Sequence, residues 1–299
     1  MTDLADQIRL LRDEAGTVVL DREVVIATGE AVVDYLQGQL SQDVAGMEVG
    51  HARWSFILEP QGKVDAWFRV TRLDDSTFAL DIDSGWADQL IARLERFKLR
   101  TPVTFERSDW IVTAVRGAGA PVPAASPDRS LGVVVPVEWP GEVGWDLIGA
   151  GGADLGLPEC DPAAVEALRI EAGRPRMGHE LDDTTIPNET GMVPVSVSFT
   201  KGCYTGQELV ARIDSRGNNT PRRLVGVHLD SGAVPPAGTA LLVADDQVGS
   251  VTSVAPQSSF GHPIALAYLS RKVETPAEVT VASDTARVVP LPLVDGPRA

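Results

Sequence analysis

Beyond residue 222 the chain shows no helical periodicity, and this limits its fold more than any other feature. Residues 224–229, 240–243, 247–254, 264–269 and 277–281 are short runs rich in valine, leucine, isoleucine and alanine, separated by turn residues. Short strands without a covering helix must manage their own edges, which predicts a small all-β barrel or sandwich. The boundary falls near residues 219–222.

Upstream, the two periods alternate. Residues 17–27 read as one or two strands, and Thr28 is the expected N-cap of a helix that carries Tyr35 and Leu36 and ends at Gly38. Residues 53–59, 63–73 and 77–83 form a predicted three-stranded meander, with Pro60-Gln61-Gly62 and Asp74-Asp75-Ser76 as its turns. A helix over 85–99 aligns Trp86, Leu90, Leu94 and Phe97 on one stripe. Strands are expected at 103–106, 110–116, 133–137 and 144–148, with a Gly-, Ala- and Pro-rich loop over 117–129. Asp161-Pro162 is an N-cap and first-turn pair for a helix to Ala172, stopped by Gly173. Residues 173–198 are irregular, and a stretch of that length in a compact domain points to function or disorder. Strands grouped around amphipathic helices give an α+β fold class. The expected units are residues 1–50 with about 117–220, a ferredoxin-like unit over 51–116, and the C-terminal β domain over 221–299.

The formal net charge of −16 argues against a nucleic-acid or anionic-membrane surface, because both partners are polyanions. No apolar run approaches the ~20 residues of a membrane span. The first 14 residues lack a signal-peptide core, so a cytoplasmic protein is expected. Two cysteines make no disulfide framework and cannot supply the roughly four thiolates of a common iron–sulfur cluster. The four histidines have no paired spacing, so no metal site is expected.

One of the two cysteines stands in Lys201-Gly202-Cys203-Tyr204-Thr205-Gly206-Gln207-Glu208. Thr205 and Glu208 have capping-box spacing for a helix over 207–213. Lys201 and the positive end of that helix would both favour a thiolate at Cys203. The plainer reading is a small buried hydrophobe.

Five stretches together resemble the YgfZ group, relatives of the glycine-cleavage T-protein. They are Leu36-Gln37-Gly38-Gln39, Pro60-Gln61-Gly62-Lys63, Arg169-Ile170-Glu171-Ala172-Gly173, Ile186-Pro187-Asn188-Glu189 and the Cys203 segment. The last is the specific signal. The resemblance implies a three-part folate-binding fold around a central opening, with tetrahydrofolate or a one-carbon derivative as cofactor. It further implies a role in making or repairing iron–sulfur proteins, with clients or assembly proteins as partners and Cys203 as the functional thiol. Glu171 is then the first candidate for the pterin edge, and Arg212 for the anionic glutamate tail, ahead of Arg222 and Arg223. Lys63, Tyr204 and Gln207 stand in the shared motifs and join the binding candidates. Trp54, Trp67 and Trp86 are alternative stacking rings. Asp65 is what survives of the paired aspartates of T-protein enzymes. Its neighbour is Ala66, so catalysis is not expected, although a folate-dependent aminomethyl or methyl transferase stays as the alternative. A third reading is an adaptor that has kept the fold and lost the ligand.

Overall fold

A computed structural model describes residues 3–121, 132–151 and 155–295. The predicted loop over 117–129 lies outside the described residues beyond position 121. The chain opens with α1 (Leu4–Asp13), which buries Ile8 and Leu11. The alternation of charged and apolar residues over the first 14 positions carries no helix expectation, so α1 is an addition to the sequence reading. Strands β1 (Gly16–Val19) and β2 (Arg22–Thr28) follow, then α2 (Val32–Gln39). Thr28 does not cap α2. It stays in the sheet, paired with Thr77 and Thr104, and Ala31 precedes the helix with no side-chain cap.

The meander is present as β3 (Ala52–Leu58), β4 (Val64–Arg72) and β5 (Thr77–Asp83), followed by α3 (Ala87–Lys98), β6 (Thr104–Ser108) and β7 (Ile111–Arg116). Strands β8 (Val133–Pro136) and β9 (Gly144–Gly149) precede α4 (Pro162–Ala172). The ends of α4 are those the sequence specifies. Asp161 accepts from the Ala163 N–H at 2.8 Å, Pro162 opens the first turn, and Gly173 closes the helix at φ +71°. The irregular stretch is ordered and holds a 3₁₀ turn (Pro187–Glu189) and α5 (Val193–Ser196) before α6 (Gln207–Asp214).

Two sheets form the body of the molecule, a five-stranded one ordered β3-β4-β5-β2-β6 and a four-stranded one ordered β1-β7-β9-β8. The chain crosses between them twice, through Leu20-Asp21 after β1 and Asp109-Trp110 after β6. β2 pairs with β5 in the five-stranded sheet, from Arg22 opposite Asp83 to Thr28 opposite Thr77, while β7 pairs with β1 in the four-stranded one. Sequence boundaries placed between turns cannot see that neighbouring strands part to different sheets.

The C-terminal strands β10 (Arg222–His228), β11 (Ala240–Val243), β12 (Asp246–Ala255), β13 (Ile264–Ser270), β14 (Ala277–Val281) and β15 (Asp284–Val289) close in the order β10-β13-β12-β11-β14-β15. The structure thus selects a barrel, and adds β15. The barrel packs on α1 and α4 through Leu224, Ile264, Leu266 and Tyr268. At its rim His228 Nδ1 lies 2.9 Å from His262 Nε2, with the Phe260 ring edge-on to His228 at 5.1 Å. Burial, then Arg287 and His262, hold the His228 imidazole below its ordinary pKa, with Asp230 opposing. No helix among the described residues is long and apolar enough to cross a membrane.

Candidate functional site

Where the two sheets and α4 face one another there is a cavity of about 300 Å³. Its apolar wall is Trp54 of β3 against Trp67 of β4, stacked with centroids 4.2 Å apart and planes 18° from parallel. Trp139 meets both rings edge-on, and Trp67 Nε1 donates to Ser196 Oγ at 2.9 Å. The indole N–H is therefore satisfied and the wall is rigid. Trp54 and Arg69 also wall a smaller cavity of about 220 Å³, bounded by Trp139 and Val195. Trp86 packs against Gly178 and takes no part in either cavity.

Charge surrounds this wall in a paired network. Arg22 donates to Asp81 and Asp83, and its guanidinium lies 5.2 Å from the Trp54 ring. Arg69 donates to Asp81 at 2.9 Å and to Asp146 at 2.6 Å. Arg116 reaches Asp146 at 2.8 Å and Glu142 at 2.8 Å, and Arg174 stands 3.5 Å from Glu142. Burial alone would raise the Asp146 carboxyl, yet Arg116 and Arg69 hold it well below the carboxylate range. The same carboxylates keep the buried Arg69 charged against the cost of desolvation.

α4 presents Pro162, Val165, Glu166 and Arg169 to the cavity, a three-and-four spacing that defines one helix face. Glu166 accepts from Arg169 Nε at 2.7 Å and Nη2 at 2.8 Å. Burial would raise its pKa, but Arg169, Arg176 and Arg174 outweigh this and lower it. Arg176, about one-third exposed, stands at the mouth. A flat apolar wall, an ionised acceptor and a cationic mouth suit a planar ligand with N–H donors and an anionic appendage.

Glu171 is not in this set. Five residues beyond Glu166 it lies about 140° around the helix. It is fully buried, and it accepts from Arg12 and from the Ser259 N–H at 2.7 Å, tying α4 to α1 and the barrel. The motif glutamate is thus a tie between elements, and the helix phase assigns the cavity face to Glu166.

Asp65 is also elsewhere. The β3–β4 register slips between Ile57 and Leu58, so Leu58 pairs with Val64 and Ile57 with Ala66. Asp65 is the extra residue of that bulge. Its carboxylate lies 2.9 Å from Arg93 Nε of α3 and accepts from Gln89.

Cys203 is free and exposed, held on a loop that fits tightly against the β3–β4 turn. Gly206 adopts φ +81°, and a Cβ there would lie 2.5 Å from the Glu59 carbonyl oxygen. Gly62, at φ +81°, faces it so closely that a Cβ would strike Leu209 at 2.5 Å. This contact makes Gly206 the residue before α6, so the expected Thr205–Glu208 capping box does not form. Lys201 donates to backbone, its Nζ meeting the carbonyls of Gln37, Leu40 and Gln42 at 2.5, 2.6 and 3.1 Å and closing the C-terminal end of α2. Burial, partly opposed by Asp43, pushes its ammonium down to about 8. Tyr204 is buried beneath it, with the ammonium 5.3 Å from the ring, and burial pushes the phenol up to about 12. Gln207 Oε1 accepts from the Tyr204 N–H, Arg212 is exposed on α6, and Lys63 is half-buried at the turn. None of these four lines a cavity described above. Among the described residues no cluster of three or more His, Cys, Asp or Glu is arranged for a metal ion.

Sequence reasoning had not selected Arg69, Asp81, Asp146, Glu166 or Arg176. A signal is present for the first two, since Arg69 follows Ala66-Trp67-Phe68 and Asp81 follows Phe78-Ala79-Leu80, each a charge set directly against an apolar run.

Comparison with known proteins follows the same lines. A family model for the glycine cleavage T-protein C-terminal barrel domain matches residues 222–295. A "tRNA-modifying protein YgfZ" of Vibrio vulnificus is 30% identical, over 72% of this chain and 69% of its own. An aminomethyltransferase of Streptomyces avermitilis is 27% identical, over 93% of this chain and 84% of its own. The crystal structure of the glycine cleavage system aminomethyltransferase T of Bartonella henselae superposes with a TM-score of 0.80 at 22% identity, covering 97% of this chain and 89% of that one.

Proposed function

The chain belongs to the YgfZ and T-protein-like family, and from that premise we propose that it binds tetrahydrofolate or a one-carbon derivative in the central cavity. We propose further that it serves the assembly or repair of iron–sulfur proteins in the cytoplasm. The observation that carries the first part is the tryptophan-walled cavity with Glu166 and Arg176 on one side of it. The residues fit the cofactor. The Trp54–Trp67 wall takes a flat ring, Glu166 accepts from the amino and ring N–H edge of a pterin, and Arg176 and Arg174 face the carboxylates of its tail. Bound reduced folate would supply a ring nitrogen able to carry a one-carbon group. The protein's part is to orient that ring and keep it dry.

Calorimetric titration with tetrahydrofolate is the direct test. Saturable binding accompanied by quenching of tryptophan fluorescence supports the reading, and no heat at millimolar ligand leaves the adaptor reading standing. For the iron–sulfur part the support is the exposure of Cys203 on a loop pinned at Lys201 and at Gly206. Cells lacking the native protein should recover cluster-enzyme activity with the wild-type chain and not with Cys203→Ala. Equal recovery would remove the thiol from its role.

Likeness to the Streptomyces aminomethyltransferase along almost the whole chain favours a second reading, one-carbon transfer onto the folate. The pairing of Asp65 with Arg93 counts against it, because a proton-managing group must reach the reacting nitrogen. Turnover of an aminomethyl donor, abolished by Asp65→Asn, would raise this reading above the first.

A further inference from the structure

A separate cavity of about 270 Å³ lies between the barrel, the 3₁₀ turn and the loop after α6, and shares no lining residue with the central one. Its walls include Arg223 of β10 and Arg271, which follows β13. Among the described residues neither guanidinium meets a carboxylate. Arg223 Nη2 donates to the Val273 carbonyl at 2.7 Å and to Thr275 Oγ1 at 3.3 Å, and Arg271 Nη1 donates to the Asn218 carbonyl. A guanidinium has five N–H donors, so each keeps several to offer. The chain holds 42 acidic residues against 26 basic ones, yet two arginines share this cavity with no carboxylate among the described residues on either guanidinium. The central cavity pairs its arginines. This one does not.

The acidic group in the wall is Glu189, and Arg222 Nε already donates to it at 2.9 Å. With Arg222 counted, the local balance stays positive. Asn188 adds an independent sign. It is 8% exposed, its Nδ2 donates to Asn218 Oδ1 at 2.8 Å, and its own Oδ1 has no partner among the described residues. A buried acceptor without a donor calls for one to be supplied.

The geometry points to a binding site for a small oxyanion, a phosphate or carboxylate compound carrying a hydroxyl beside the anionic group. Arg223 and Arg271 take the oxyanion, as paired guanidiniums do, and the hydroxyl supplies the donor that Asn188 lacks. The site does not depend on what fills the central cavity.

The test is titration of the full chain with sodium phosphate, and in parallel with sodium hydroxymalonate, against sodium chloride at matched ionic strength, read by calorimetry and thermal unfolding. The expected result is saturable binding of at least one oxyanion, and which one identifies the source. Arg271→Gln, an exposed position, should leave unfolding without anion unchanged and weaken binding about tenfold, the size of a lost charge-assisted contact. Arg223→Gln should do the same, while Glu166→Gln should leave anion binding as it was. Absence of saturable binding for both anions overturns the proposal. So does binding that Arg271→Gln leaves intact, or that Glu166→Gln weakens instead.

Discussion

In the central cavity the charged groups converge from β2, β4, β5, β9 and α4, and Arg22, Arg69 and Arg116 are answered by carboxylates of other strands. In the Cys203 loop the notable residues lie within eight positions, and the one cation among them is spent on backbone carbonyls. The first region is chemistry assembled by the fold. The second is a local motif whose chemistry, apart from the thiol, goes into holding the loop. The difference teaches that a conspicuous cluster in sequence need not be a conspicuous cluster in charge.

The largest expected effect tests the assembled region. Asp146→Ala would leave Arg69 and Arg116 buried without a shared partner and should cost about 3–5 kcal/mol, read by urea denaturation. A loss below about 1 kcal/mol would mean that water reaches the network and that the contrast with the loop is false. Next is Lys201→Met, which strips donors from three carbonyls. About 1–3 kcal/mol of stability is expected to go, with faster amide exchange around α2 and Cys203. Unchanged exchange would break the description of Lys201 as a tie. Glu166→Gln should weaken tetrahydrofolate binding by about tenfold, with a smaller loss of stability than Asp146→Ala because Arg169 keeps Glu180 as a partner. If Glu171→Gln lowered affinity as much without loss of stability, the helix phase argued above would be wrong.

Smaller still is an acid effect at the barrel rim. The folded His228 resists protonation more than the unfolded residue, whose pKa is about 6.5. The unfolded state therefore binds more protons below that value, and stability falls as pH drops through it. His228→Gln should flatten the fall in melting temperature between about pH 7 and pH 5. Cys203→Ser should be the quietest, within about 0.5 kcal/mol of the parent, because the side chain is exposed.

Much of the fold was legible because it is locally written. The ends of α4 follow from Asp161, Pro162 and Gly173, and the meander from its turn residues and the alternation of Val64, Ala66, Phe68 and Val70. β15 is not legible, since only Ala286 and Val288 of it are buried and its first two residues, Asp284 and Thr285, are exposed polar side chains just after a turn. The site was harder to read for a different reason. Glu166 and Glu171 lie on one short helix, and motif likeness selects the second while rotation about the axis selects the first. The failed capping box has a similar origin. Spacing favoured Thr205, but the close approach of Gly206 to the Glu59 carbonyl, far away in sequence, decided where α6 begins.

The two crossings between the sheets, Leu20-Asp21 and Asp109-Trp110, run in opposite directions and join neighbours β1 and β7 of one sheet to neighbours β2 and β6 of the other. Two short straps side by side fix the angle between the layers as the pins of a hinge would if both were welded. The aperture between them is then preset by the frame, and what it admits is decided by the side chains that furnish it. On the folate reading proposed above, exchanging Trp54 or Arg176 should change which heterocycle the cavity prefers while the scaffold stands unaltered.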